Sequence, residues 1–257
     1  MLFAASASDV RSRSRLLTPF VLSALALLVA CGSDTGPKPP HELDGTAVTV
    51  GNGTAMAYVM TSSGAATSIG VALSDAALQG LPSTDTEWSL PLPSGVSVPP
   101  FDHVTLNWNA QGHPPMPYML PHFDFHFYII TPAQQAAIAP GADTVTVPAQ
   151  YVPANYMSGI ESVPDMGVHW VDTLSAEFTG HTFDHTFIYG FTKGTMAFVE
   201  PMVTQTYLGS SPDVMSPVKQ PESFQKPGRY PTWYSVKADA AKGLVRVSLD
   251  SLTDRQD

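Results

Sequence analysis

Residues 122–128 read HFDFHFY and have the residue types and spacing most suggestive of chemistry in this chain. In a β-strand, alternate side chains point to opposite faces of the sheet. One face would then be apolar and carry Phe123, Phe125, Phe127 and Ile129. The other face would be polar and carry His122, Asp124, His126 and Tyr128. Burying such a polar row is costly unless it meets water, a ligand or a cation.

Strand geometry limits how this polar row could bind a metal ion. Strand residues two apart lie about 7 Å apart at Cα and can share one cation, whereas residues four apart lie about 13 Å apart. His122 and His126 therefore cannot easily chelate one ion from a straight strand. We expect either that Asp124 pairs with one of these histidines or that a β-bulge brings them closer.

Two further candidate ligands lie downstream. His169 follows Met166 and Gly167, which predict a turn that leads into a strand. Glu200 lies in an apolar run and precedes Pro201, which predicts a bulge or an edge strand because proline cannot donate a backbone hydrogen bond. A carboxylate at this position, with few basic residues near it in sequence, needs a partner.

The combination of imidazole and carboxylate side chains predicts a divalent-metal site. Zinc is favoured, and manganese, iron or copper also suit these ligands. Any three of the candidates would leave an open coordination position for catalysis. The predicted metal residues are His122, Asp124, His126, His169 and Glu200, with Asp124 either as a ligand or as a partner of one. His113, just before Pro114, is interpreted as a loop residue outside this set. The alternative is that these histidines are structural groups held by hydrogen bonds.

The charge distribution strengthens the case for a cation. No Lys or Arg occurs between Lys38 and Lys193, yet all eight His and thirteen Asp or Glu lie in this stretch. Local basic side chains cannot neutralise those carboxylates, which must face solvent, accept hydrogen bonds or meet His residues and a metal. The acidic balance, with a net charge of −10, argues against nucleic acid as a partner.

The N-terminus has the features of a bacterial lipoprotein signal. Three Arg precede an apolar run from Leu16 to Ala30, which is too short for a stable membrane span. The residues before Cys31 resemble a lipobox, in which cleavage precedes a cysteine that becomes lipidated. Cys31 is the only cysteine, so an exported chain would contain no internal disulfide. We expect a signal peptide over residues 1–30 and a membrane partner through the lipid on Cys31. Gly32, where an Asp would favour inner-membrane retention, favours the outer membrane or the surface.

Composition beyond the signal predicts one domain on a tether. Gly32 to Pro40 read GSDTGPKPP, a polar Pro/Gly segment typical of a linker, so residues 31–42 form the expected lipidated cysteine and tether. Residues 43–257 are long enough for one sizeable core, and no second linker of this kind interrupts them. Removal of residues 1–30 takes three Arg and one Asp from the chain, which changes the net charge from −10 to −12.

The pattern of the remaining chain predicts an all-β fold, an antiparallel barrel or sandwich of roughly 8–10 short strands. TAVTV-GNG-TAMAYVM resembles a hairpin, and short strand-like runs recur between Pro and Gly residues. These runs are VTLNW, HFDFHFYII, TFIYGF, MAFVEPMV, TWYSV and LVRVSL. One short helix is predicted near 132–138, with Thr131 as N-cap, Pro132 at the first position and Gly141 beyond the end.

Five segments together resemble a family of bacterial exported proteins and lipoproteins whose domain is uncharacterised. They are NWNAQGHPP, PHFDFHFY, VPDMGVHWVD, HTFIYGF and FVEPMVTQTYL, within roughly Val48 to Leu208. The resemblance implies a secreted β-rich domain with a capacity for self-association, and it implies no established activity.

Three functions remain open at this level. The first is an envelope-anchored domain whose metal site acts on a small neutral or cationic molecule, since basic residues that clamp anions are absent nearby. The second is a non-catalytic module that binds a small ligand or forms a homo-oligomer. The third is a carbohydrate-active protein that uses its Trp and Tyr side chains as platforms. Catalytic residues are not assigned, because no GxSxG motif or phosphate-binding Gly-rich loop occurs and the only thiol is that of Cys31.

Overall fold

The structure is a computed structural model that describes residues 39–141, 143–159 and 161–255. The first eight strands are β1 (His41–Asp44), β2 (Val48–Val50), β3 (Gly53–Ser62), β4 (Ala65–Ser74), β5 (Thr86–Leu90), β6 (His103–Asn109), β7 (His122–Tyr128) and β8 (Tyr156–Ser158). The other eight are β9 (Val168–Asp172), β10 (His185–Thr192), β11 (Thr195–Thr204), β12 (Asp213–Pro217), β13 (Gly228–Tyr230), β14 (Trp233–Asp239), β15 (Leu244–Asp250) and β16 (Thr253–Arg255). Two one-turn helices are α1 (Pro132–Gln135) and α2 (Gln205–Leu208). Single 3-10 turns occupy Asp75–Leu78, Met116–Tyr118, Ala149–Tyr151 and Ala176–Phe178.

The strands form two large antiparallel sheets. Sheet A has the order β1-β3-β4-β15-β14-β12, with β2 also paired to β3. Sheet B has the order β5-β6-β7-β11-β10-β9-β8, and β13 pairs with β16 in a separate ribbon. The prediction of an all-β antiparallel fold is confirmed, and the arrangement is a sandwich without barrel closure. Sixteen strands among the described residues exceed the number expected because several contain only three to five residues.

One hydrophobic core joins the two sheets. Sheet A contributes Val59, Val71 and Val247, and sheet B contributes the Phe side chains of β7 together with neighbours from β6, β10 and β11. Phe123, Phe125 and Phe127 are fully buried in this cluster, as the alternation of β7 predicts. The polar side chains of β7 therefore project from sheet B on the face away from sheet A.

The predicted hairpin and the predicted helix cap both occur in the structure. β2 and β3 form the expected hairpin, with Gly51 at positive φ in the turn. Thr131 is the N-cap of α1, as predicted, and it also forms a reciprocal capping box with Gln134. The helix ends at Gln135, three residues before the predicted end. Helix α2 was not expected; the side chain of Thr204 caps it by accepting a hydrogen bond from the backbone of Tyr207.

The expectation of a bulge or edge at Pro201 is wrong. β11 lies in the middle of sheet B, and Pro201 aligns with Phe187 of β10. The bulge in this pair lies between Gly190 and Phe191 instead. On the β7 side, ladder pairing is interrupted between Val199 and Met202, which is how the sheet accommodates a residue without an amide hydrogen.

The predicted signal peptide and Cys31 lie outside the described residues, as does the tether as far as Lys38. The first strand begins at His41, close to the predicted start of folding near Leu43. Within the described part of the chain, no helix has the length and apolarity needed to cross a membrane.

Candidate metal centres

The polar row of β7 lies between two other polar rows on the same face of sheet B. On the β6 side, Asn109, Asn107 and Thr105 align with the row at His122, Asp124 and His126, respectively. On the β11 side, Val199 pairs with Phe127 and Met202 pairs with Asp124, so Glu200 lies beside His126 in the same register. The sheet therefore places a carboxylate from β11 next to an imidazole from β7.

His169 reaches the same place from β9 because β10 offers no side chain in between. Gly190 of β10 pairs with both His169 and Phe198. The Phe198 ring occupies the space above Gly190, where an added Cβ would lie 2.1 Å from ring carbons. This ring makes edge-on contacts with His126 and His169, at centroid distances of 4.7 and 5.3 Å. Phe198 thus packs against both imidazoles on the same face of sheet B.

His126, His169 and Glu200 form what we call the deep cluster. The Nε2 atoms of His126 and His169 lie 3.5 and 3.6 Å from Glu200 Oε2. One ligand atom from each residue lies within 4.8 Å of the others, so the three could hold one metal ion. The His126 and Glu200 side chains are almost completely buried, while His169 is 19% exposed and forms the solvent edge of the cluster.

Hydrogen bonds fix the orientation and tautomer of His126. The Asn107 amide donates to Glu87 Oε2 at 3.0 Å, and this carboxylate orients the amide so that Oδ1 faces His126. Asn107 Oδ1 must therefore accept from Nδ1–H of His126, at 3.1 Å, and it also accepts from the Thr105 hydroxyl. In the neutral imidazole, Nε2 then carries a lone pair directed toward Glu200.

The buried acceptors of the deep cluster lack protein donors. His126 Nε2 and both carboxylate oxygens of Glu200 have no hydrogen-bond partner among the described residues. Buried polar atoms in this condition are costly and rare in folded proteins. A cation bound between these three atoms would satisfy all of them, because each offers a lone pair when Glu200 is ionised.

Burial also sets the protonation of the deep cluster. It lowers the pKa of His126 to about 3 and that of His169 to about 4, so both imidazoles are neutral at neutral pH. Neutral imidazole is the form that binds metals. Burial, reinforced by the negative charge of Asp124, raises the pKa of Glu200 well above its ordinary value. A bound cation would oppose this shift and favour the carboxylate.

His113, His122 and Asp124 form a second group, which we call the rim cluster. His122 Nε2 lies 3.0 Å from Asp124 Oδ1, and His113 Nε2 lies 3.6 Å from Asp124 Oδ2. The two imidazole Nε2 atoms are 3.1 Å apart. His122 and Asp124 are buried, whereas His113 is 34% exposed and comes from the loop between β6 and β7. These three residues could also hold one metal ion.

The electrostatics of the rim cluster differ from those of the deep cluster. Burial alone would raise the pKa of Asp124, but the neighbouring His122 and His113 lower it below its ordinary range. Burial would lower the pKa of His113, but hydrogen bonding and charge interaction with Asp124 raise it. Asp124 is thus an ionised, buried carboxylate that favours positive charge on the groups around it.

Aromatic side chains cover part of this polar face. Tyr118, from the same loop as His113, is buried and packs edge-on against Phe178 and Phe183. Phe183 in turn contacts the His122 ring at a centroid distance of 5.4 Å. The Tyr118 hydroxyl donates to Glu177 Oε1 at 3.0 Å. The cover excludes water from most of the row and leaves His113 and His169 as its partly exposed edges.

The structure divides the five predicted metal residues between the two clusters. His126, His169 and Glu200 meet in the deep cluster, and His122 with Asp124 lies in the rim cluster. Asp124 pairs with one histidine of its strand, as the spacing argument allowed, and His122 and His126 do not share a cluster.

Sequence reasoning did not assign three residues of these centres. His113 was set aside as a loop residue, and it does lie in a loop, but this loop folds back onto β7. Asn107 and Asn109 hold His126 and Asp124, respectively. The alternation of Asn107 and Asn109 in VTLNWN, beside a second strand of alternating polar residues, was the available signal.

Comparison with known proteins gives a match to one family model, over a short part of the chain. The family described as "TTHB210-like: Hypothetical protein TTHB210" matches residues 61–108, from the end of β3 to β6. The matched range ends before His113 and contains neither cluster, so the motifs from PHFDFHFY onward lie outside it. No curated protein and no solved structure matches the chain.

Proposed function

We propose that this protein is a metal-binding β-sandwich whose principal centre is the deep cluster of His126, His169 and Glu200. The observation that carries the proposal is the lone pair of His126 Nε2. It is directed at a buried carboxylate that accepts no hydrogen bond from the described residues. The Nδ1 atom of this imidazole is satisfied by its hydrogen bond to Asn107, and we propose that a cation satisfies Nε2.

We propose zinc as the favoured ion, and two of the three donor separations fit it. Tetrahedral zinc with bonds of about 2.0–2.1 Å places neighbouring ligand atoms about 3.4 Å apart. The separations of 3.5 and 3.6 Å between the imidazole nitrogens and Glu200 Oε2 are close to this value. Manganese, iron and copper accept the same ligands and are the alternatives that metal analysis would distinguish.

A centre with three protein ligands suits chemistry on a small molecule. A fourth position would remain for water or substrate, as in catalytic zinc sites. The partly exposed edge at His169 provides a route to it. Among the described residues, no Lys or Arg forms an ion pair with either cluster, so the protein offers no basic clamp for an anion beside the metal. Water activation toward a small neutral or cationic substrate is the chemistry that we propose.

We also propose that the domain is exported and lipid-anchored to the bacterial envelope through Cys31. The support is sequence-based: a charged segment, a short apolar run and a lipobox-like end before the only cysteine. A non-catalytic ligand-binding or self-assembling module remains the rival function. A carbohydrate platform is less well supported, because Trp108 is buried in the core and Trp170 packs against Phe191.

The decisive experiment measures metal content by mass spectrometry on the full chain, purified in detergent without a polyhistidine tag. We expect zinc or another divalent metal in a fixed ratio to protein. Glu200→Gln should lose about one equivalent, because it removes the negative ligand while conserving volume. His41→Ala, which alters an exposed histidine on β1, is the matched control and should retain the metal.

Folded protein without metal would contradict this proposal if it also takes up none of zinc, manganese, iron or copper on addition. Circular dichroism would establish folding in each sample. In that case the rival module would be the better description, and the oligomeric state would be the next measurement.

A further inference from the structure

The rim cluster contains two imidazoles whose lone pairs face each other. His122 Nδ1 lies 2.6 Å from the carbonyl oxygen of Leu120, and His113 Nδ1 lies 2.8 Å from that of Pro114. A carbonyl oxygen only accepts hydrogen bonds, so both Nδ1 atoms must carry the proton. In the neutral tautomers, both Nε2 atoms are then unprotonated, and they are 3.1 Å apart. Two lone pairs at this distance repel unless a positive charge lies between them.

Asp124 adds a third acceptor at the same point. Its Oδ2 accepts a hydrogen bond of 2.6 Å from the Asn109 amide. Its Oδ1 is buried, has no hydrogen-bond partner among the described residues, and lies 3.0 Å from His122 Nε2. Oδ1 therefore lies toward His122, while Asn109 holds the other carboxylate oxygen in place. Metal ligands are typically oriented by a hydrogen bond of this kind from a neighbouring residue.

The loop that carries His113 is held in place without help from the cluster. The backbone amide of His113 donates to the carbonyl of Tyr118 at 3.1 Å, and the Tyr118 ring is anchored by Phe178 and Phe183. Gly112 adopts a positive φ of 68° and lies against the backbone of Tyr118 and Leu120, where a side chain would collide. His113 is thus positioned in advance, which lowers the entropic cost of binding an ion there.

We propose that the rim cluster is a second divalent-cation site, with His113 Nε2, His122 Nε2 and Asp124 Oδ1 as its protein ligands. It is separate from the deep cluster, shares no ligand with it, and does not depend on the function proposed for it. A cation there ties the β6–β7 loop to β7. It therefore adds a further link between β7 and the loop that carries Tyr118 of the aromatic cover.

The test is native mass spectrometry of zinc bound to the full chain after chelation and reloading. The samples are the wild type, His113→Ala, Glu200→Gln and the double variant. We expect two zinc ions in the wild type, one in each single variant and none in the double variant. His113 is partly exposed in a loop, so its substitution should leave the fold intact, and His41→Ala again serves as control.

The pattern of loss separates this inference from the function proposed for the deep cluster. One zinc that Glu200→Gln removes and His113→Ala retains would overturn the rim site and support the deep one. One zinc with the opposite response would support the rim site and overturn the deep one. Protein that binds no zinc, manganese, iron or copper would overturn both, and a shared proton would then be the charge between the imidazoles.

A second measurement addresses the loop itself. Hydrogen exchange of the amides in residues 112–120 should slow on zinc addition in the wild type and in Glu200→Gln. It should not respond in His113→Ala. Exchange that is equally fast with and without zinc in protein shown to bind two ions would contradict a role for this site in holding the loop.

Discussion

At the residue scale, two asparagine side chains each orient a candidate ligand, one in each cluster. Asn107 Oδ1 accepts a hydrogen bond from His126 Nδ1–H, and the Asn109 amide donates one to Asp124 Oδ2. Both side chains lie on β6, two residues apart, and neither is a candidate ligand. Groups that orient metal ligands typically contribute 10–100-fold in metal affinity. The two asparagines therefore provide a matched pair for separating the clusters.

We expect Asn107→Ala to weaken the deep cluster selectively, by about 10–100-fold in zinc affinity. Loss of the acceptor would leave His126 free to rotate or to take the other tautomer, in which Nε2 carries the proton. Asn109→Ala should weaken the rim cluster by a similar factor and leave the deep one unchanged. Competitive titration with a zinc-sensitive dye, in His113→Ala and Glu200→Gln backgrounds, resolves each site. Equal losses at both sites in both variants would instead indicate general destabilisation of β6.

At the scale of the elements, the deep cluster depends on the absence of a side chain at Gly190 of β10. Gly190 leaves room for the Phe198 ring, which lies against both His126 and His169. Gly190, Phe198 and His169 align across three strands, and the extra residue of the adjoining bulge is Ala197 of β11. A side chain at position 190 would have to displace this ring and with it the two imidazoles.

Gly190→Ala is therefore expected to destabilise the fold by about 1–3 kcal/mol, as overpacking of a core does. It should also lower zinc affinity at the deep cluster. Gly209→Ala is the matched control, because Gly209 has a helical φ of −76° and its added Cβ would meet nothing closer than 3.6 Å. The control should be neutral or stabilising by up to about 1 kcal/mol. Urea denaturation measures both, and equal midpoints for the two variants would refute the packing argument.

At this scale, some parts of the site could be predicted from the sequence and others could not. The alternation in β7 was sufficient to predict its apolar and polar faces, because side-chain direction in a strand depends only on position. The approach of Glu200 and His169 to His126 depends on the registers of β11, β10 and β9, which no local pattern specifies. His113 was missed because its position depends on how a loop folds back. Pro201 was misjudged because a pairing gap inside a sheet resembles an edge in sequence.

At the scale of the whole molecule, the two faces of sheet B have opposite requirements. One face packs its Phe side chains against sheet A in the common core. The other buries His122, Asp124, His126 and Glu200 beneath loops, and the first three of these lie in a stretch of chain without Lys or Arg. The first face stabilises the fold by apolar burial, while the second contains acceptors without donors. Metal binding and folding should therefore be linked.

Chelation is expected to lower the stability of the domain, since the clusters exist only when the sheet is formed. A ligand that binds only the folded state stabilises it by about 2.7 kcal/mol when its free concentration is 100 times Kd, and two independent sites add. Thermal denaturation with and without zinc should show the largest shift in the wild type. Glu200→Gln and His113→Ala should show smaller shifts, and the double variant none. If the melting temperature does not change on zinc addition in protein shown to bind zinc, the unfolded chain binds the ion as tightly as the folded one does. The ligands would then not be preassembled by sheet B, contrary to the geometry of both clusters.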